Sequence, residues 1–337
     1  MAKQKTILLE HGGGGLLSNE LVAEVFLPHF KNTCLDRLED SAVLMVGTQK
    51  LCFTTDSYVV SPVFFPGGNI GSLAVHGTVN DLSMAGGTPL YLSCGCILEE
   101  GFSMDALEKI ITSMAEAASK AGVQIVTGDT KVVPKGSADG IYINTSGIGS
   151  IAYKSPISVE CIQPGDVIIL NGTIGDHGAA ILSAREDMGL ESSLLSDSAP
   201  LNTLVADILK ASPRIHCMRD ATRGGLGAIL AEIAARSNYH ITLSEKDIPV
   251  KDPVRGVCEI LGFDPLFLAN EGKMVVFCPQ EEAEVVLQAM KLHAYGREAA
   301  VIGKVHAKGR GRLVLTTLIG GERVIDLPTG ELVPRIC

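Results

Sequence analysis

A polar, proline-containing stretch from Tyr153 to Gly165 parts two apolar-rich halves, and in each half runs of strand length alternate with segments of helical period. That partition limits the fold more than any other feature. In the first half the spacing predicts a helix over 16–30, strands over 42–46 and 51–55, and a helix over 72–85. A strand over 90–98, an amphipathic helix over 103–121 and strands over 123–127 and 141–149 follow. In the second half it predicts strands over 166–170, 274–277 and 312–318, with helices over 176–185, 203–211, 226–236 and 281–293. The Ser/Asp-rich run from Glu191 to Ala199 reads as a loop. Because the two early strands succeed each other as a hairpin, the expected class is α+β rather than a doubly wound sheet. The expected domains are residues 1–155 and 156–319, with a tail over 320–337.

A chain of 337 residues with 46% hydrophobic content can fill two cores. A formal charge of -10, with no basic run, argues against nucleic acid as the main partner. The nine cysteines are odd in number and sit mostly within apolar runs, which is the usage of a reduced compartment. Cys94 and Cys96 fall on one face of a strand without a second ligand pair, which weighs against a metal site there. No signal-peptide pattern precedes Glu10 and no apolar run is long enough to cross a membrane, so a soluble cytoplasmic protein is expected.

Five aspartates, Asp40, Asp56, Asp81, Asp129 and Asp220, stand at element ends or alone among small apolar residues. Taken singly, each is an ordinary turn or cap residue. Brought together without cations they would repel one another, and oxygen-only ligands with few histidines suit Mg²⁺ bound with a nucleotide. The glycine run Gly12, Gly13, Gly14 and Gly15 offers backbone N–H groups for close approach to a ligand, although it lacks the ending of a Walker A loop. Lys131, two residues beyond Asp129, could neutralise a phosphate, and Arg223 belongs to the same constellation.

From Gly320 the chain carries Pro328, Gly330 and Pro334 without a regular pattern, and it reads as an irregular, mobile arm ending on Cys337. At ~3.3 Å per residue such an arm reaches about 50 Å. Its thiol is a candidate reactive group.

The motifs Gly12–Gly15, Phe64-Phe65-Pro66-Gly67-Gly68, Gly77-Thr78-Val79-Asn80-Asp81-Leu82, Gly128-Asp129-Thr130-Lys131-Val132-Val133, Arg219-Asp220-Ala221-Thr222-Arg223-Gly224-Gly225, Asn270-Glu271-Gly272 and Pro334-Arg335-Ile336-Cys337 together resemble the HypE family of hydrogenase maturation factors. The resemblance implies a two-domain fold like that of aminoimidazole ribonucleotide synthetase (PurM-like) with a flexible C-terminal tail. It also implies a homodimer binding ATP across its interface, with Mg²⁺ on the aspartates. Gly12 to Gly15, Asn80, Thr130, Thr222, Arg223 and Asn270 are the implied nucleotide contacts. Cys337 would receive a carbamoyl group from the HypF carbamoyltransferase and pass on cyanide to a HypC–HypD complex, after ATP-driven dehydration of the thiocarboxamide to a thiocyanate. Glu271 is then the expected base and Lys131 the charge that steadies the reacting oxygen or phosphate. Two other readings remain open at this point: a small-molecule kinase or synthetase with the tail as a lid, and a non-catalytic assembly scaffold.

Overall fold

The computed structural model describes residues 6–30, 32–185, 193–330, 333 and 335–337. Glu191 and Ser192 of the expected loop and Pro334 of the terminal motif lie outside them. Helix α1 (Leu16–Leu21) continues through a π-helical turn (Val22–Phe26) into α2 (Leu27–Phe30). The first half then forms β1 (Ala42–Val46), β2 (Gln49–Tyr58), β3 (Phe64–Phe65), β4 (Gly68–Asn69), α3 (Ile70–Met84), β5 (Thr88–Glu99), α4 (Met104–Ala121), β6 (Gln124–Val133) and β7 (Ile141–Ser150). The second half runs β8 (Val167–Leu170), α5 (Asp176–Ser183), α6 (Asn202–Ala211), β9 (Cys217–Asp220), α7 (Gly225–Ser237), β10 (Tyr239–Ser244), α8 (Asp252–Leu261), β11 (Met274–Cys278), α9 (Ala283–Leu292), β12 (Ala300–Lys308), β13 (Leu313–Thr316) and β14 (Glu322–Ile325).

Two sheets carry the molecule, one of five strands in the order β1-β2-β7-β5-β6 and one of seven in the order β14-β13-β10-β12-β8-β11-β9. In the first, only β5 and β6 are parallel, and α4 provides their crossover. Helix α4 forms because Ser103 caps its N-terminus by accepting from the Ala106 N–H. Ile110, Met114, Ala117, Ala118 and Ala121 make one buried stripe, and Gly122 takes the left-handed conformation just past the end. Helix α3 differs, being buried nearly all round between the first sheet and the second domain, and it is capped by Asn69 and Ser72. Its small residues permit that fit. A Cβ at Gly77 would lie 2.2 Å from the Tyr58 hydroxyl.

Two expectations need correction. Strand β6 does not stop before Asp129 but runs to Val133, because Asp129 to Val133 pair in register with Gly95 to Glu99 of β5. Asp129, Thr130 and Lys131 therefore lie within an edge strand, not in a loop beyond one. The segment from Gly320, expected to be irregular and mobile, turns tightly through Thr317 to Gly321 and forms β14, in which Ile325 buries itself opposite Leu313 of β13. Its last residues are docked as well, with Val333 and Ile336 buried in the first core.

Candidate functional site

The two domains meet around a cavity of about 290 Å³. Asp40 enters it just before β1, Thr54, Thr55 and Asp56 from β2, and Asp81 from α3. Arg219 and Asp220 come from β9, Thr222 and Arg223 from the turn before α7, Glu271 from the loop before β11, and Cys337 from the tail. Four of the five expected aspartates thus converge, with Glu271, Thr222, Arg223, Gly14 and the cysteine beside them.

Burial sets the electrostatics of this cluster. It raises the carboxyl groups of Asp40, Asp81 and Glu271 well above the ordinary range; Asp220 and Asp56 push Asp81 and Glu271 further up, and Asp220 does the same to Asp40. Asp220 itself is pushed up to about 6, chiefly by burial, with Arg219 opposing. Asp40 Oδ2, Asp220 Oδ2 and Glu271 Oε1 are buried with no hydrogen-bond partner. Buried acceptors of this kind suit a cation. No three His, Cys, Asp or Glu side chains among the described residues close around one ion-sized point, so an all-protein cage is not what the cluster provides. The arrangement fits Mg²⁺, which takes one or two carboxylates and completes its shell with water and phosphate oxygens.

A sign follows for stability. A carboxyl whose folded pKa lies above its unfolded value stabilises the fold below the unfolded pKa, and loses that contribution as pH rises through the folded one. For Asp220 the window runs from about 4 to about 6 and is worth roughly 3 kcal/mol. Without metal, the thermal midpoint should fall as pH rises from about 4 to about 6. Added Mg²⁺ should restore it at pH 8 and do little at pH 5. Equal Mg²⁺ stabilisation at both values, in calorimetry, would contradict this donor set.

Arg219, which sequence reasoning passed over, is the buried counter-charge. Its Nε lies 2.7 Å from Asp40 Oδ1, and its Nη1 is 3.9 Å from both Glu39 and Glu232. Its position beside Asp220 on a short strand was the available signal. Thr54, also missed, places its hydroxyl 2.9 Å from both the Asp40 carbonyl oxygen and Asp81 Oδ2, tying β2 to α3.

Asn80 and Asn270, expected to touch nucleotide, instead brace the loops. Asn80 Nδ2 donates to the carbonyls of Ala199 (3.1 Å) and Glu271 (3.2 Å), and its Oδ1 accepts from the Leu201 N–H. Asn270 Nδ2 donates to the Ala221 carbonyl at 2.8 Å, and its Oδ1 accepts from the Gly175 N–H at 2.8 Å. Both carboxamides are spent. The Glu271 N–H donates to Asp197 Oδ1, and a Cβ at Gly272 would come within 2.0 Å of the Asp197 carbonyl oxygen, so only glycine lets this loop pass. Of the glycine run, Gly14 lines the cavity with φ +76, where it packs on Arg223. The Gly12 carbonyl accepts from Arg223 Nη1, Gly13 borders an adjoining hollow, and Gly15 is pressed against the Pro328 carbonyl.

Asp129, Thr130 and Lys131 are not brought to this cavity. The Asp129 and Lys131 side chains are 70% and 67% exposed and pair with each other on β6. Asp56 shares its row across the sheet with Thr145, Cys94 and Gly128, whereas Asp129 lies in the next row, with Gly95, Asn144 and Ser57. Three strand spacings separate the two aspartates, about 15 Å.

The tail reaches the cavity along residues 59–61. The Val59 N–H donates to the Cys337 carbonyl (2.9 Å), the Ser61 N–H to the Arg335 carbonyl (3.1 Å), and Arg335 Nε to the Val59 carbonyl (2.9 Å). Arg335 also pairs with Asp139, and His177 Nε2 lies 2.7 Å from the Ile336 carbonyl oxygen. Cys337, followed by Asp56, Glu271 and Asp81, holds the Arg223 guanidinium firmly charged.

Comparison with known proteins adds a family. The profile of the AIR synthase related protein N-terminal domain matches residues 38–151, and that of its C-terminal domain residues 163–316. The carbamoyl dehydratase HypE of Azotobacter vinelandii is 49% identical over 332 residues, covering 98% of this chain and 97% of the relative. That of Escherichia coli (strain K12) is 47% identical, covering 98% and 99%. A crystal structure of the hydrogenase maturation protein HypE in complex with ATP superposes with a TM-score of 0.83 at 48% identity, covering 98% of this chain and all of that one. HypE in a crystal of the HypE–HypF complex gives 0.87 at 46% identity, covering 91% and 99%. Among the described residues no helix is long and apolar enough to cross a membrane.

Proposed function

The chain belongs to the HypE carbamoyl dehydratases of the AIR synthase related family, and from that premise we propose that it dehydrates a carbamoyl group carried on its own Cys337 in the cavity between its domains. The observation that supports this reading most directly is the position of Cys337, which lines the same cavity as Asp56, Asp220, Arg223 and Glu271. ATP, as co-substrate with Mg²⁺, supplies the activation that turns the thiocarboxamide oxygen into a phosphate leaving group. The remaining work falls to the chain. The tail's backbone hydrogen bonds to Val59 and Ser61 hold the sulfur at the cavity, converting attack on a distant group into an intramolecular event. Glu271, whose carboxylate is made a stronger base by burial and by its acidic neighbours, takes the N–H proton as S–C≡N forms. Arg223 opposes the negative charge that develops beside the sulfur. Asp40, Asp56, Asp81 and Asp220 are the groups that would hold Mg²⁺.

The reading is tested by mass analysis of the terminal peptide after incubation with a HypF carbamoyltransferase and carbamoyl phosphate. Without ATP, the peptide should carry a carbamoyl group on Cys337. With ATP, it should carry a cyano group. A carbamoyl peptide that persists unchanged with ATP would remove the dehydratase assignment for this chain. The cyano group would then pass to an acceptor, for which a HypC–HypD complex in the cytoplasm is the partner this role requires.

The exposed side of the first sheet gives the basis for a homodimer. Phe53, Tyr91 and Ile97 are 44–46% exposed, and β6 is an uncovered edge. A second copy seated there would cover them, and its Asp129, Thr130 and Lys131 would complete the first copy's cavity. Mixing Lys131→Ala with Glu271→Gln chains should then restore about a quarter of the wild-type sites, since half of the dimers are mixed and each has one intact cavity. No recovery of cyanation in the mixture would place Lys131 outside the reaction.

A further inference from the structure

Three sulfur atoms stand together away from the cavity. The alternation of side chains along β5 sets Leu92, Cys94 and Cys96 on one face, toward the buried core beneath α4. There the Sγ atoms of Cys94 and Cys96 are 3.6 Å apart, and Cys94 Sγ is 3.7 Å from the Sδ of Met114 on α4. Met114 is 2% exposed and Cys96 8%, while Cys94 is half-buried, so the group is enclosed yet not sealed. None of the three lines the cavity.

These separations are far beyond a disulfide's ~2 Å. They match donors around one ion, because metal–sulfur bonds of about 2.3 Å in a trigonal set give edges of about 4 Å. The donors are two thiols and a thioether, and no group of three His, Cys, Asp or Glu among the described residues adds a nitrogen or oxygen cage. Zinc, which takes four ligands in a structural site, is poorly served. Soft sulfur ligands select a monovalent soft ion. We infer that Cys94, Cys96 and Met114 form a binding site for Cu(I). Binding replaces the two S–H protons by two Cu–S bonds and adds the thioether as third donor, releasing two protons per ion with no change in oxidation state.

The test uses the full-length, reduced protein carrying Cys337→Ser, so that the terminal thiol does not compete, titrated anaerobically with Cu(I) against bathocuproine disulfonate. One equivalent should be withheld from the chelator. Cys94→Ser or Cys96→Ser should weaken retention by more than the 10–100-fold that loss of an outer-shell partner costs, Met114→Leu by roughly tenfold, and Cys34→Ser not at all. X-ray absorption of the one-equivalent complex should give a single shell of three sulfurs, a readout that needs no variant. Retention unchanged in Cys94→Ser, lost equally in Cys34→Ser, or a copper shell with nitrogen or oxygen neighbours would each overturn the assignment.

Discussion

Cys337→Ala should bind ATP as the wild type does and carry neither a carbamoyl nor a cyano group after incubation with the carbamoyltransferase, a complete loss rather than a slowing. The expectation rests on position. Removing one sulfur leaves the four converging aspartates, Arg223 and Glu271 in place, and the tail keeps its backbone hydrogen bonds to Val59 and Ser61, because those use main-chain atoms only. Among the described residues no other cysteine lines the cavity, and burial raises Cys52, Cys258 and Cys278 to about 11 or 12, away from the reactive thiolate. Mass spectrometry of the digested protein checks this, and an adduct on another cysteine of the variant would overturn the carrier role.

Glu271→Gln should separate chemistry from folding. Loss of the base should slow cyanation by at least ~100-fold while the carbamoylated protein accumulates, since a positioned base contributes roughly 10²–10⁴. Glutamine keeps the shape and removes a charge that Asp220, Asp56 and Asp197 oppose. The variant should therefore melt no lower than the wild type at pH 7, and higher where repulsion among the carboxylates dominates. Slow cyanation with a raised midpoint marks a catalytic role; normal cyanation would take Glu271 out of the reaction.

Much of this site was legible because its residues interrupt apolar surroundings in a way that packing does not require. Asp40, Asp56, Asp81 and Asp220 stood out for that reason, and the structure draws them together. Arg219 was passed over because its role depends on long-range pairing with Glu39, Asp40 and Glu232, which no local pattern encodes. Asn80 and Asn270 look like ligand residues in sequence, yet their carboxamides are consumed in holding the 199–201 and 268–271 loops. Strand β6 was cut short because Asp129 and Lys131 are polar, and only its pairing with β5 reveals that the strand continues. The docked end of the tail was not readable either. Its attachment relies on backbone groups of residues 59–61 and on His177, none of which its own composition betrays.

Helix α3 has a consequence for how the enzyme must move. It is wedged against the first sheet on one side and against β9 and α6 on the other, while its Asn80 grips the loops that carry Ala199 and Glu271. A hinge between the halves would have to unpack that helix and break the Asn80 hydrogen bonds. Freeing the end of the chain, by contrast, leaves that helix packed and breaks only the main-chain hydrogen bonds to Val59 and Ser61 and the side-chain contacts of Arg335 and His177.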